Sequence, residues 1–361
     1  MVKQDKTVKL LESLVKIPSL SGYEQRIAKF IHKELLKYLP KTRVHIDRHN
    51  NVIGVIKGTS DKVVMLDAHL DQVGFIINNI DKEGYISINE IGGVDEDIVQ
   101  GRPVVIQSYT GKIINGVIDK KPVHYLNGET SRADKHSDEE VNLDIGIKKI
   151  KNVSKYLKVG DPLMFKPEFG HLMNKYYYGY GFDDKIACLM LLELAKELKN
   201  KKSYATIILS FSAQEEVGKT TAKISVNKYK PDVFIELDVT TATDMGYTGF
   251  DREVGRCELG SGIVLYRGVG IDHYILQALE RTAKTSKIKI QVQASTGNIG
   301  YISEEMETVG NGIRIATIGI PLRNMHTPVE VLNMSDVFGG IKLIKNFLMS
   351  KRFSTVLRKN V

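Results

Sequence analysis

The sequence predicts an α/β protein carrying a small all-β, barrel-like insertion, and three observations lead to that expectation. Tyr204 to Gly218, YATIILSFSAQEEVG, opens as an apolar β-branched run and closes on adjacent Glu215 and Glu216. A run that is apolar on both alternating faces reads as a strand covered on both sides, as in a parallel sheet between helices. Strand-like and helix-like segments alternate before about residue 73 and again after about residue 166, the pattern of a layered α/β architecture. Between those points short β-like pieces follow one another at Gly, Asp and Asn turns, the texture of a small barrel or sandwich. The expected division is residues 1–72 with 167–361 as one α/β domain and 73–166 as an inserted β domain, and 361 residues suit it.

In chain order, residues 5–16 predict a helix that ends before Pro18. Ser21-Gly22-Tyr23-Glu24 has capping-box spacing, with Ile27, Phe30, Ile31, Leu35 and Tyr38 on one helical face before Pro40. Arg43–Asp47 and Val52–Ile56 predict a hairpin turning at Asn50-Asn51. Val63–Leu66 is expected to be a strand that delivers Asp67-Ala68-His69-Leu70-Asp71. The insertion is read from β-like pieces at 73–77, 85–88, 103–107, 112–118 and 163–165, with Asn127–Glu140 as a polar loop. Asp183-Asp184 opens a helix bearing Ile186, Leu189, Met190 and Leu194. After the strand at 204–212 come a helix near Thr220–Val226 and a strand Val233–Leu237 ending in Asp238. A helix over Asp272–Thr285, strands Ile288–Val292 and Ile313–Ile320, and a last helix near Ser335–Ser350 complete the reading.

Composition excludes several classes. Hydrophobic content of 42% is ample for a core. The net charge of +8 is spread along the chain apart from a basic run at the end, Lys351-Arg352 through Lys359. A nucleic-acid binder concentrates its basic residues in a stripe or a known motif, so no nucleic-acid partner is expected. Two cysteines, Cys188 and Cys257, make neither a disulfide framework nor thiolate metal spacing. The amphipathic N-terminus lacks the apolar region of a signal peptide, and no stretch approaches a membrane span. A cytoplasmic protein with no membrane partner is the expectation.

Function is written in side chains that fall at expected strand ends or helix starts: His69, Asp183, the Glu215-Glu216 pair, Asp238 and His326. Taken singly each has a bland reading, as a core histidine, a helix-capping acid or a loop residue. Jointly they lie where an open α/β sheet presents its ligand crevice, beyond the carboxyl ends of its strands. Residues two apart on a strand share a face, so Asp71 is expected to hold the second ring nitrogen of His69. A set of carboxylates and imidazoles without thiolate suits zinc, cobalt or manganese in a hydrolytic site, not a closed structural zinc site.

These residues stand in motifs that resemble metallopeptidase family 42, the glutamyl, deblocking and tetrahedral aminopeptidases. The resemblance rests on Ala68 through Phe75, Phe182-Asp183-Asp184-Lys185, Gln214 through Gly218, Glu236-Leu237-Asp238-Val239, and Pro321 through Glu330 with His326, and it runs from the first helix to the last. The chain departs from the family pattern at Ser295-Thr296-Gly297-Asn298-Ile299 and at Asn324. The resemblance implies a zinc-aminopeptidase-like three-layer α/β domain that carries catalysis, with the inserted β domain serving oligomerisation.

It further implies two divalent metal ions per subunit, zinc or cobalt first and manganese after them. His69, Asp183 and Asp238 would hold one, and Asp183, Glu216 and His326 the other, with Asp183 shared. Glu215 would be the general base and Asp71 would orient His69. The implied activity is removal of N-terminal residues from peptides by a metal-activated water, in a homo-oligomer for which the family's common form is a dodecamer. Two other readings stay open from the residues alone. One is a related di-metal amidase or carboxypeptidase, and the other is a catalytically impaired metal-binding scaffold.

Overall fold

The computed structural model describes residues 2–95, 98–120, 124, 142–147, 149–218, 221–246, 252, 254–297 and 300–358. The expected loop at 127–140 lies outside them, as do Asn298 and Ile299. The fold is α/β. Its central sheet has eight strands in the order Val44–Ile46, Val52–Ile56, Thr206–Ser212, Val63–His69, Val233–Thr241, Arg314–Leu322, Ile263–Gly268 and Ile290–Ser295. The four inner strands run parallel, from Thr206–Ser212 to Arg314–Leu322. Val52–Ile56 is antiparallel to Thr206–Ser212 and forms a hairpin with Val44–Ile46, and Ile263–Gly268 is antiparallel to Arg314–Leu322. The sheet is therefore mixed where the sequence suggested parallel.

Alternation along these strands builds the two outer layers. Val64, Leu66, Ile207, Leu209, Val233 and Ile235 point into one core beneath helices Val2–Val15, Gln25–Leu35, Phe182–Leu198, His273–Ser286 and Met334–Leu348. Met65, Ile208 and Phe234, one residue out of step, pack with Ala222, Val226, Ile302 and Met306 from helices Ala222–Tyr229 and Ser303–Met306 on the other face. The basic end run is helix Lys351–Arg358, which seats Phe353 and Leu357 in the first core.

The described residues between 74 and 165 form a second, six-stranded sheet with its own hydrophobic cluster, including Phe75, Ile106 and Phe165. Its neighbouring strands pair antiparallel. An isolated antiparallel bridge between Ser87 and Asn142, the residue before Leu143–Asp144, brings the two edges of the sheet together and makes it barrel-like. A third small sheet, Phe169–His171, Tyr176–Gly179 and Glu330–Asn333, links the exit from the barrel to the C-terminal part of the chain.

Several boundaries differ from expectation for physical reasons. Ser21 does not cap the helix that follows: its hydroxyl donates to Asp71 Oδ2 at 2.7 Å, while Glu24 Oε1 accepts from Gly22 N–H. Asp238 lies inside its strand, opposite Gly319, because the strand runs on to Thr241. Asp183 and Asp184, joined by a cis peptide bond, have non-helical dihedrals, so regular helix begins after them. Strand Ile263–Gly268 escaped the sequence reading altogether.

Candidate metal centre

The parallel register brings the site together. Ser212 pairs with His69, which puts the Glu215-Glu216 turn just past the end of the strand bearing His69. Glu236 pairs with Asp67, so two residues on Asp238 stands level with His69. Asp183 enters at the start of helix Phe182–Leu198, and His326 from the loop after Arg314–Leu322. All six open on one cleft of about 960 Å³, which continues past Arg252, Thr296 and Tyr301.

Two groups of ligand atoms form within this cleft. His69, Asp183 and Asp238 offer one, Asp183, Glu216 and His326 the other, and in each the candidate atoms lie within 4.8 Å of one another. His69 Nε2 is 3.0 Å from Asp183 Oδ1 and 3.7 Å from Asp238 Oδ1. His326 Nε2 is 3.3 Å from Asp183 Oδ2 and 3.2 Å from Glu216 Oε2. Asp183 thus turns one oxygen to each group.

The residues fit divalent cations on three counts. His69 Nδ1 lies 3.0 Å from the carbonyl of Asp71, which can only accept, so the neutral ring puts its Nε2 lone pair toward two carboxylates. Lone pairs that converge in this way need a cation or a proton between them. Glu216 Oε1 is buried with no hydrogen-bond partner among the described residues, although such atoms are nearly always paired. The ligand set is carboxylate and imidazole, the chemistry of open hydrolytic sites.

Electrostatics says the same in protons. Burial alone depresses His69, but Asp183, Asp238 and Asp71 reverse it and hold the ring well above its ordinary pKa. Burial likewise opposes His326, yet Asp183 and Glu216 raise it to about 11. Asp183, although buried, is held below the usual carboxylate range by these two imidazoles. Burial, then the charge of Asp183, lifts Glu216 to about 7. Glu215 is pushed up to about 9, chiefly by burial and then by the surrounding carboxylates against the opposing pull of His69. A cluster that gathers protons this strongly has surplus negative charge that cations neutralise equally well.

Asp71 differs from expectation in detail. The strand ends at His69, so the two-residue rule no longer aims the Asp71 side chain. Its backbone carbonyl, not its carboxylate, takes Nδ1, and Asp71 Oδ1 stands 3.6 Å away. The carboxylate accepts from Glu215 N–H at 3.0 Å and Glu216 N–H at 3.1 Å. Asp71 therefore holds the glutamate turn, which Gln214 enters with a left-handed φ of 61°. Sequence reasoning missed three further contributors. Ser21 braces Asp71, and Gly93 brings the barrel against the ring of His326. Tyr301 lines the cleft and donates to the Val239 carbonyl at 2.7 Å. The departure at Asn324 falls on an exposed residue with φ 57°, and its side chain donates to the Val329 carbonyl.

Among the described residues no helix is long and apolar enough to cross a membrane. The chain is 29% identical over 340 residues to the lysyl aminopeptidase of Pyrococcus furiosus, covering 94% of this chain and 96% of that one. In structure it resembles aminopeptidase APDkam598 from the archaeon Desulfurococcus kamchatkensis at a TM-score of 0.89 and 26% identity, over 99% of both chains. It also resembles the TET1 peptidase of Pyrococcus horikoshii, described as assembling into a tetrahedron or a large octahedral shell, at a TM-score of 0.82 and 25% identity over 95% of this chain and 99% of that one. The M42 glutamyl aminopeptidase family profile matches residues 50–343, and the chain belongs to that family.

Proposed function

We propose that this chain is a di-metal aminopeptidase that releases N-terminal residues from peptides. The observation that carries the reading is the convergence of five ligand residues into two groups sharing Asp183, beside a sixth group, Glu215, that belongs to neither. His69, Asp183 and Asp238 would hold one ion and Asp183, Glu216 and His326 the other, with zinc or cobalt the first candidates and manganese the next. When bound, the ions would supply a water whose pKa is strongly lowered and would polarise the scissile carbonyl.

The chain's own residues do the rest. Asp183, Asp238 and Glu216 would set three carboxylates against the charge of two bound dications. Glu215 receives a proton from the attacking water and delivers it to the departing amine, a role typically worth about 10²–10⁴-fold. Its carboxylate lines the cleft while Asp71 fixes its main chain.

In this reading residues 1–72 and 167–361 are the catalytic domain, and residues 73–166 are an inserted oligomerisation domain. The protein works in the cytoplasm as a homo-oligomer, and the dodecamer described for the similar PhTET1 structure makes that the form to test first. The deciding experiment measures initial rates on aminoacyl-nitroanilides after chelation, with zinc, cobalt or manganese added back. Glu215→Gln is expected to retain metal and lose most activity, and His326→Ala to lose metal. Normal cleavage by both variants overturns the assignment.

A further inference from the structure

We propose that Glu330 is a positioning residue that fixes the spacing between Asp183 and His326, acting through main-chain N–H groups and not on substrate. The inference rests on the metal-centre reading above. Glu330 opens strand Glu330–Asn333 and is 2% exposed. Its Oε2 accepts from Phe182 N–H at 2.6 Å and from Asp183 N–H at 3.4 Å. Its Oε1 accepts from His326 N–H at 3.3 Å. One carboxylate thus ties the segment that delivers the shared ligand to the loop that delivers the second histidine.

Neither of those segments is held by regular secondary structure. Asp183 is non-helical at ψ 109°, and His326 has a left-handed φ of 62°, a conformation a non-glycine residue keeps only when its surroundings impose it. The small sheet sets Glu330 between them. Glu330 pairs with Gly179, three residues before Phe182, and Val331 bridges Arg323, three residues before His326. Glu330 is not among the residues that line the cleft, so its effect must pass through the ligands it places. Both residues belong to one ligand group and Asp183 to the other as well, so a shift here disturbs the whole centre.

The test titrates cobalt(II) into the metal-stripped full-length protein, following the isotherm and the visible absorption bands. Wild type, Glu330→Gln, Glu330→Ala and His326→Ala are compared, each with the melting temperature of its stripped form. Glu330→Gln keeps the side-chain volume but exchanges one accepting oxygen for a donating NH₂ that opposes a main-chain N–H. The expected result is a stripped protein that melts close to wild type, binds cobalt about 10–100-fold more weakly and shows shifted bands, the usual scale for outer partners of metal ligands. Glu330→Ala loses at least as much. If it fails to fold, Glu330→Gln decides. Wild-type cobalt affinity and spectrum in the folded Glu330 variants, with a cobalt lost in His326→Ala, overturn this inference and leave the metal centre standing. No cobalt uptake by wild type, or uptake unchanged by His326→Ala, overturns both.

Discussion

Replacing Asp71 by Asn tests whether Glu215, the proposed general base, is placed by a buried carboxylate. Asp71 is fully buried and accepts three hydrogen bonds, from Ser21 Oγ, Glu215 N–H and Glu216 N–H. The amide keeps one oxygen and aims an NH₂ at a main-chain N–H, so at least one donor of the turn loses its acceptor. That costs about 1–3 kcal/mol in stability. The larger effect is on turnover, because Asp71 holds the main chain of Glu215 itself, in a turn that Gln214 enters with a left-handed φ. A shift of Glu215 by about 1 Å is worth on the order of 10² in rate. Asp71→Asn should therefore lose about 100-fold in kcat on an aminoacyl-nitroanilide, with KM moving much less and metal still bound through His69. Ser21→Ala removes one of the three bonds and leaves both main-chain contacts, so its loss in kcat should be far smaller. A folded Asp71→Asn protein with near wild-type kcat would refute the reasoning and reduce Asp71 to a structural acid.

Glu215→Gln should lower kcat by about 10²–10⁴-fold while metal content, read by elemental analysis, stays at the wild-type value. Phe234→Ala, in the core between the sheet and helix Ala222–Tyr229, should cost about 3–5 kcal/mol in chemical denaturation, because a fully buried ring leaves a cavity. Asp272 caps helix His273–Ser286 at Ile275 N–H and pairs with both Nε and Nη2 of Arg314. Burial opposes its ionisation, but Arg314 wins and lowers its pKa below the ordinary value. A depressed folded pKa stabilises fully above the unfolded value near 3.9 and is lost as pH falls through the folded value. Asp272→Asn should therefore melt below wild type at pH 7, by about 1 kcal/mol, and the two melting curves should converge below about pH 4.

The sequence disclosed the residues that converge in the cleft because each lies at a point where apolar periodicity breaks, and a break in a buried strand is visible without coordinates. It also showed the change of texture that became the barrel, since short strands and long helices leave different spacings. Tertiary partners were not legible. Ser21 has the spacing of a helix cap, and only the arrival of Asp71 diverts its hydroxyl. Asp71 is two residues from His69, but the strand ends between them, and a periodicity argument cannot see where pairing stops. Glu330 stood in a quoted motif without a role, because its three donors come from segments far apart in the chain. Strand Ile263–Gly268 was missed because Arg267 and Gly268 break its apolar run.

The bridge between Ser87 and Asn142 constrains how copies of this chain can meet. Where its two edge strands meet, main-chain donors and acceptors face each other, so a neighbour cannot lay down another strand at that point. Contacts on that module must instead be made by projecting side chains, and Tyr85, Tyr109, Val117 and Tyr156 are exposed on it. Strand addition tolerates almost any sequence, whereas a side-chain contact can be strengthened, weakened or redirected by a single substitution. A contact between copies at that seam would therefore be adjustable one residue at a time.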